Sequence, residues 1–348
     1  MFDRKTLLTL VLLLVPVAVL VLGTELSGVR LLDRIATTLC INLILVVGLQ
    51  VFMGNSGILS FAHIGFMGIG AYASAVLAMP VQMKGMALPD LYPVLKSVQL
   101  SPYLAMAAGT AIATLVAAVV SYPLMRLSDA AAVITSFALL VVLHTIMVNW
   151  SAVTNGPRTL FGVPRATDLY LAAGAAAAMI AVALFFKESR TGVLLRAVRD
   201  DEVAAGAIGA HVSVLRWRGF VLSAAMAGLA GGLWAHFITS FSPSAFYLKE
   251  TFVILGMLVI GGAGTVSGAV FGAFAVTFAF EGLRASETII NAAQFLPTQI
   301  VGLTEIVLAC AMIGILILRP RGLLGTAEIG AVIGAPRGPA VTAQARQR

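Results

Sequence analysis

Hydrophobic positions run along this chain in long tracts, without the alternation of a half-buried strand. The tracts lie at about 7–22, 35–53, 58–79, 101–122, 130–149, 169–186, 216–240, 251–283 and 300–318. Most are close to the roughly 20 residues an α-helix needs to cross a hydrocarbon layer of about 30 Å. Inside that layer every backbone N–H and C=O must be paired within its own segment, so unalternating tracts predict helices. The 251–283 tract is too long for one straight helix, and Ile260-Gly261-Gly262-Ala263-Gly264 interrupts it, which predicts short or broken spans there. The pattern thus predicts an all-α, polytopic transmembrane helical bundle of about ten spans, or eight to nine if the broken tract is re-entrant. Between tracts, Pro80, Pro89, Pro93, Pro102, Pro157 and Pro164 place loops or interfacial turns near 80–100 and 150–168.

One polar island breaks the pattern. Residues 187–218 hold six basic and four acidic side chains, in a chain that is only 11% charged. Ser189-Arg190-Thr191-Gly192 breaks the preceding span. Val193, Leu194 and Val198 then form an apolar stripe at helical spacing, with Arg196 and Arg199 facing water. Asp200 and Asp201 suit an N-cap, Glu202 falls in the first turn of a second short helix, and Gly209 is placed to end it. Basic amphipathic helices often lie on a bilayer surface. The second helix is Ala-rich and has no aromatic anchor, which suits a protein groove better than lipid headgroups.

Composition agrees with a membrane protein: 60% of 348 residues are apolar and the mean hydropathy is +1.01. The net charge of +7 is spread over the flanks of the tracts with no basic-aromatic patch, so it does not point to nucleic acid. Counting Lys and Arg with the N-terminus inside puts 14 of 22 on the inner segments, including the island. The positive-inside rule therefore places the island and both termini in the cytoplasm. Arg4 and Lys5 before Leu7–Leu22 resemble a signal peptide without a clear cleavage site, and the expectation is a retained first helix. The organisation reads as residues 1–34, a first helix and outer loop; 35–325, the main transmembrane domain; and 326–348, a flexible cytoplasmic tail.

Chemistry-bearing motifs are few. No Gly-Lys-Ser/Thr occurs, so the chain has no phosphate-cradling loop and is not expected to hydrolyse ATP. Cys40 and Cys310 lie in apolar tracts, where a disulfide framework or metal site is not expected. Polar residues inside the spans are Asn42, Gln50, His144, His236 and Glu305; the histidines read as bundle-facing and hydrogen-bonded. With no paired intramembrane carboxylates or catalytic constellation, a secondary transporter, a stand-alone channel or a membrane enzyme is the lesser reading. Gly65 and Gly68, the pair Gly228 and Gly232, and the series Gly264, Gly268 and Gly272 are small-residue faces that pack helices or border a pathway. Gly54 and Gly57 read as bracketing a tight turn, with Asn55 or Ser56 capping the next helix.

Four motifs in order carry a family resemblance. Ser189–Gly192, Arg196–Arg199 and Glu202–Gly209 resemble the coupling loop of LivM-type permease subunits of branched-chain amino-acid ABC transporters. Gly54–His63 with Phe66 and Gly68–Tyr72 is similar to that family's N-terminal motif, Val259–Gly264 with Gly268 and Gly272 to its glycine-rich span, and Arg319–Leu323 to its final turn. The resemblance covers roughly 35–325 and departs from the family at Gly206, where a good helix former is expected. It implies a permease subunit in a bacterial inner membrane, importing branched-chain amino acids; relatives carrying urea, short amides or other amino acids are the alternative. By the same resemblance, ATP and Mg are bound by two partner ATPase subunits, with no cofactor in this chain. The implied partners are a homologous second permease subunit and a periplasmic substrate-binding protein. The residues implied to meet the ATPase are Arg196, Arg199, Asp201, Glu202, Ala204, Ala205, Ile208 and Gly209.

Overall fold

The computed structural model describes residues 4–127, 129–292, 302–319, 322–325 and 328–330. Its first half contains α1 (Arg4–Ser27), α2 (Arg30–Ser56), α3 (His63–Ala78), the short α4 (Val81–Ala87) and α5 (Pro93–Ser97), α6 (Pro102–Leu124) and α7 (Asp129–Asn149). After the turn α8 (Ser151–Thr154) come α9 (Leu169–Glu188), α10 (Arg190–Asp200), α11 (Glu202–Ala207) and α12 (Val212–Ile238). A 3-10 turn at Pro243–Phe246 leads into α13 (Leu248–Gly261), α14 (Val266–Ala292) and α15 (Leu303–Leu318). Among the described residues eight helices are long and apolar enough to cross a membrane. The shorter α3 and α15, of 16 residues each, occupy the two remaining apolar tracts.

The spine of the bundle is α2, whose most apolar window is 83% buried, against 17% for α1. It packs against α9, α12, α13 and α14, while α12 also lies along α3 and α6. Glycines allow these backbones to approach. A Cβ on Gly70 would stand 2.2 Å from the Gly228 carbonyl oxygen, and one on Gly231 would stand 2.0 Å from that of Met67. Gly232 faces Met106 of α6, whereas Gly65 and Gly68 face Leu143 and Met147 of α7.

The expected break in the 251–283 tract is present: α13 ends at Gly261 and α14 starts at Val266, forming an antiparallel hairpin around Gly262 (φ +117°). Its seam differs from the predicted one. A Cβ on Gly261 would come 1.9 Å from the Gly268 oxygen, and one on Gly272 would come 2.0 Å from the Met257 oxygen. Gly264 has nothing within 4 Å of a built Cβ and does not belong to the packing face. It lies in the turn, so continuing the every-fourth-residue series through it fails.

The predicted turn at Gly54–Gly57 also differs. Helix α2 continues through Ser56 and stops at Gly57, whose left-handed φ of 76° lets its N–H reach the Met53 oxygen at 2.9 Å. Asn55 and Ser56 turn back to Val51 and Phe52 of their own helix at 2.9 and 2.7 Å, so neither caps α3. Of the 326–348 segment only residues 328–330 are described, and Glu328 there is bonded into the bundle. Pro320 and Arg321, and the side chain of Glu305, lie outside the described positions.

Candidate functional site

Helix direction alternates along the chain, so residues 54–62, 122–127, 187–211, 260–267, 319, 322–325 and 328–330 gather at one end of the bundle. Three of the motifs singled out in the sequence therefore converge here with the α10–α11 loop. Ser189 ends α9 and caps α10, its Oγ accepting from the Gly192 N–H at 3.2 Å. Gly192 itself is required, since a Cβ there would stand 2.2 Å from the Phe186 oxygen. Asp201, not Asp200, caps α11 by accepting from the Ala204 N–H at 2.9 Å. Glu202 receives a 2.9 Å bond from Arg216, whose side chain is 4% exposed. Beyond Ala207, Gly209 takes φ +87° and its N–H bonds Gly206 O at 3.0 Å.

The loop has a small core of its own, built from Leu195, Val198, Ala205 and Leu215. This corrects the predicted stripe: Leu195 is fully buried while Val193 is 49% exposed. Ala205 is likewise turned inward, because its methyl closes that core, and its side chain is not offered to a groove. What α11 does offer is an exposed tip, with Val203 at 83% and Ile208 at 75% exposure beside exposed Ala204 and Gly206.

Arg196 is directed at the bundle instead of at water, whereas Arg199 stays exposed, pairs with Asp200 at 3.2 Å and also reaches the bundle. Arg196 Nη1 donates to the Lys187 oxygen at 2.5 Å and to Asn55 Oδ1 at 3.3 Å. Burial lowers the pKa of its guanidinium, and Glu188 nearby acts against the shift. Arg199 Nη1 donates to the Gly54 oxygen at 2.8 Å, and its aliphatic stem fills the space over Gly57. The two residues clamp α10 to the end of α2, using carbonyls left without intrahelical partners at helix ends.

A third anchor was not anticipated. Lys187 Nζ pairs with Glu328 Oε1 at 2.5 Å and donates to the Gly264 oxygen at 3.2 Å. Glu328 in turn accepts from the Val266 and Ser267 N–H groups at 2.9 and 3.0 Å and from Ser267 Oγ at 2.5 Å, which caps α14. Burial opposes its ionisation, but Lys187 and the Ser267 donors win and hold the carboxyl below its usual range. Sequence spacing could not reveal a partner 141 residues away.

At the opposite end, a cavity of about 410 Å³ opens between α1, α2 and α9. Glu25, Arg30, Asp33, Arg165 and Asp168 line it, with Phe237 at its base. In the nearby 80–100 segment, the wholly buried Lys84 donates to the backbone oxygens of Leu95, at 2.9 Å, and Val98. Of the polar residues within the apolar tracts, His236 bonds Ser74 Oγ at 2.9 Å and the Pro164 oxygen at 2.8 Å. His144 stacks on Tyr247 at 4.0 Å, Asn42 is half-buried, and Gln50 is buried against the end of α2. His63, quoted only as part of a motif, sits between Phe52 and Phe220 at 6.0 and 5.0 Å.

Comparison with known proteins agrees with this arrangement. Residues 31–317 match the family described as the branched-chain amino acid transport system, permease component. The high-affinity branched-chain amino acid transport system permease protein LivM of Escherichia coli K12 is 26% identical over 288 residues, covering 72% of this chain. LivM of Salmonella typhimurium matches equally, and LivH of E. coli K12 is 28% identical over 152 residues, covering 44% of this chain and 45% of LivH. The chain spans 63% of the length of the LivM relatives, and no solved structure matches it. By the extent of the family match, this multi-pass helical protein belongs to the branched-chain amino acid transport system permease family.

Proposed function

We propose that this chain is the transmembrane permease subunit of a bacterial ABC importer for branched-chain amino acids, driven by separate ATPase subunits that dock on the α10–α11 loop. The exposed tip of α11 carries the reading. Val203 and Ile208 are held in water on a loop with its own core. Arg196 and Arg199 clamp that loop to α2. Apolar side chains presented this way favour a protein partner, and a rigid base passes the partner's movement to the helices. The substrate and the second, homologous permease subunit are inferred from the relatives' names and the family. The positive-inside count supports a cytoplasmic loop and cytoplasmic termini, so the charged cavity faces the periplasm and the binding protein.

The roles of the coupling residues divide accordingly. Val203, Ala204 and Ile208 meet the ATPase, with Glu202 beside them; Ala205 and Asp201 shape the loop, Gly209 turns its exit, and Arg196 and Arg199 hold its base. Reconstituting the chain with its genomic neighbours tests this. Val203→Asp with Ile208→Asp is expected to weaken ATPase association at least tenfold while leaving the thermal midpoint within about 1 °C. Full association and full uptake in that variant would refute the docking surface. Competition of labelled leucine uptake by isoleucine and valine, and not by urea, tests the substrate.

A further inference from the structure

Three parts of the chain meet at Glu328. Residues 322–325 and 328–330 form a strap across the end of the α13–α14 hairpin. The Leu323 N–H bonds the Ile260 oxygen at 2.9 Å and the Leu324 N–H bonds that of Gly261 at 3.2 Å. Gly322 (φ +75°) lies so close to Gly262 that a Cβ would stand 2.5 Å from its Cα. Beyond this, Glu328 Oε1 accepts from both the Val266 N–H of α14 and Lys187 Nζ at the base of the coupling loop, while Oε2 accepts from Ser267. Ile329 N–H closes the ring on Ser267 Oγ at 3.4 Å.

The pair is largely withdrawn from water, its side chains being 10% and 14% exposed. A buried ion pair is rarely more stabilising than apolar residues of the same volume, yet removing one partner is costly. Such a pair favours one geometry over its alternatives more than it adds stability. Further bonds hold both groups: Lys187 also donates to Gly264 O, and both Glu328 oxygens are bonded by α14. Lys187 also belongs to the Arg196 clamp through its own carbonyl, so the tie runs without a gap from α10 to the hairpin.

We propose that Glu328 is a positioning residue: it locks the C-terminal strap between the coupling loop and the α13–α14 hairpin so that all three move as one block. On the importer reading, on which its functional consequence rests, movement of the loop by the ATPase is delivered directly to the hairpin and not only to α2. The tie is a fixed linkage, closed in every stage of the cycle.

Two readouts test it. In the full-length chain alone, with Cys310 replaced, paired spin labels at Val193 and Leu323 are expected to give one narrow distance distribution in the parent and in Lys187→Arg. The distribution should broaden in Glu328→Gln and in Lys187→Met, with the double variant no broader than either single one. An unchanged width in Glu328→Gln, or broadening that accumulates in the double variant, would overturn the proposal whether or not the protein is an importer. In the reconstituted complex, uptake per ATP hydrolysed is expected to fall at least tenfold in Glu328→Gln and to survive in Lys187→Arg. Expressing uptake per ATP cancels any loss of assembled complex, so an unchanged ratio counts against the tie. A parent chain that associates with no ATPase would sink the importer reading while leaving the distance measurement to decide the linkage.

Discussion

Gly261→Ala puts the hairpin seam to a sharp test, with Gly264→Ala as its internal control. The added methyl at Gly261 would stand 1.9 Å from the Gly268 oxygen, about 1.5 Å inside the 3.4 Å at which ordinary contact begins. The obstacle is backbone on a packed helix, so no rotamer change relieves it. Helices α13 and α14 must separate, at a cost of about 1–3 kcal/mol for overpacking. Separation also strains the two strap bonds onto the Ile260 and Gly261 oxygens, each contributing about 0.5–1.5 kcal/mol. The expected total is roughly 2–6 kcal/mol. The methyl at Gly264 would meet nothing within 4 Å, and its effect should stay within about 0.5 kcal/mol. Thermal unfolding of purified protein in detergent, followed by tryptophan fluorescence, reads both variants in one experiment. Gly261→Ala should lower the midpoint by at least about 3 °C and Gly264→Ala by no more than about 1 °C. Equal midpoints, or a larger loss at Gly264, would show that the seam follows the regular every-fourth-residue series after all.

Three further outcomes are expected. His236→Leu removes the partner of both Ser74 and the Pro164 oxygen at a site with no exposure, and should destabilise the chain by about 1–3 kcal/mol in denaturant titration. Lys84→Met leaves the Leu95 and Val98 oxygens without their lysine donor, so limited proteolysis between residues 88 and 99 should accelerate severalfold while the bundle's unfolding midpoint moves little. Because Glu328 has a depressed folded pKa, its tie is fully present above the ordinary carboxylate value of 4.5 and is lost as pH falls through the lower folded value. Spin-label distances across the strap should therefore be constant from pH 8 to pH 5 and broaden only below about 4.5.

The helices were legible because an apolar tract in lipid has few other solutions: each of the nine tracts contains helix, and the break at Gly261–Gly264 falls where the glycines put it. Capping chemistry was legible too, since Ser189 and Asp201 act on amides three residues away. Orientation about each helix axis was not. When lipid and protein core are equally apolar, periodicity does not distinguish the face turned to each, so the pattern puts Gly264 in the seam with Gly268 and Gly272, where the structure has Gly261. The α10–α11 loop raised the converse problem. Ala205 suits either a partner's groove or the loop's own core, and only the positions of Leu195 and Leu215 decide it. The sequence pattern turns Arg196 and Arg199 to water and offers Lys187 no partner, because the acceptors at Asn55, Gly54 and Glu328 lie far away in sequence.

The central position of α2 also bears on how such a chain is made. It leaves the ribosome before the partners that will enclose it: α9, α12 and α14 come more than a hundred residues later. Until then Gln50 and Asn55 must wait at the end of a helix bordered by lipid, the translocation machinery or α1. Its mean hydropathy of 2.2 lets it enter the bilayer on its own. Its final neighbours, however, can be chosen only by lateral sorting after synthesis has passed residue 266. The helix that ends up most enclosed is thus inserted well before the neighbours that surround it, and premature termination before α12 would leave it as an exposed target for membrane quality-control proteases.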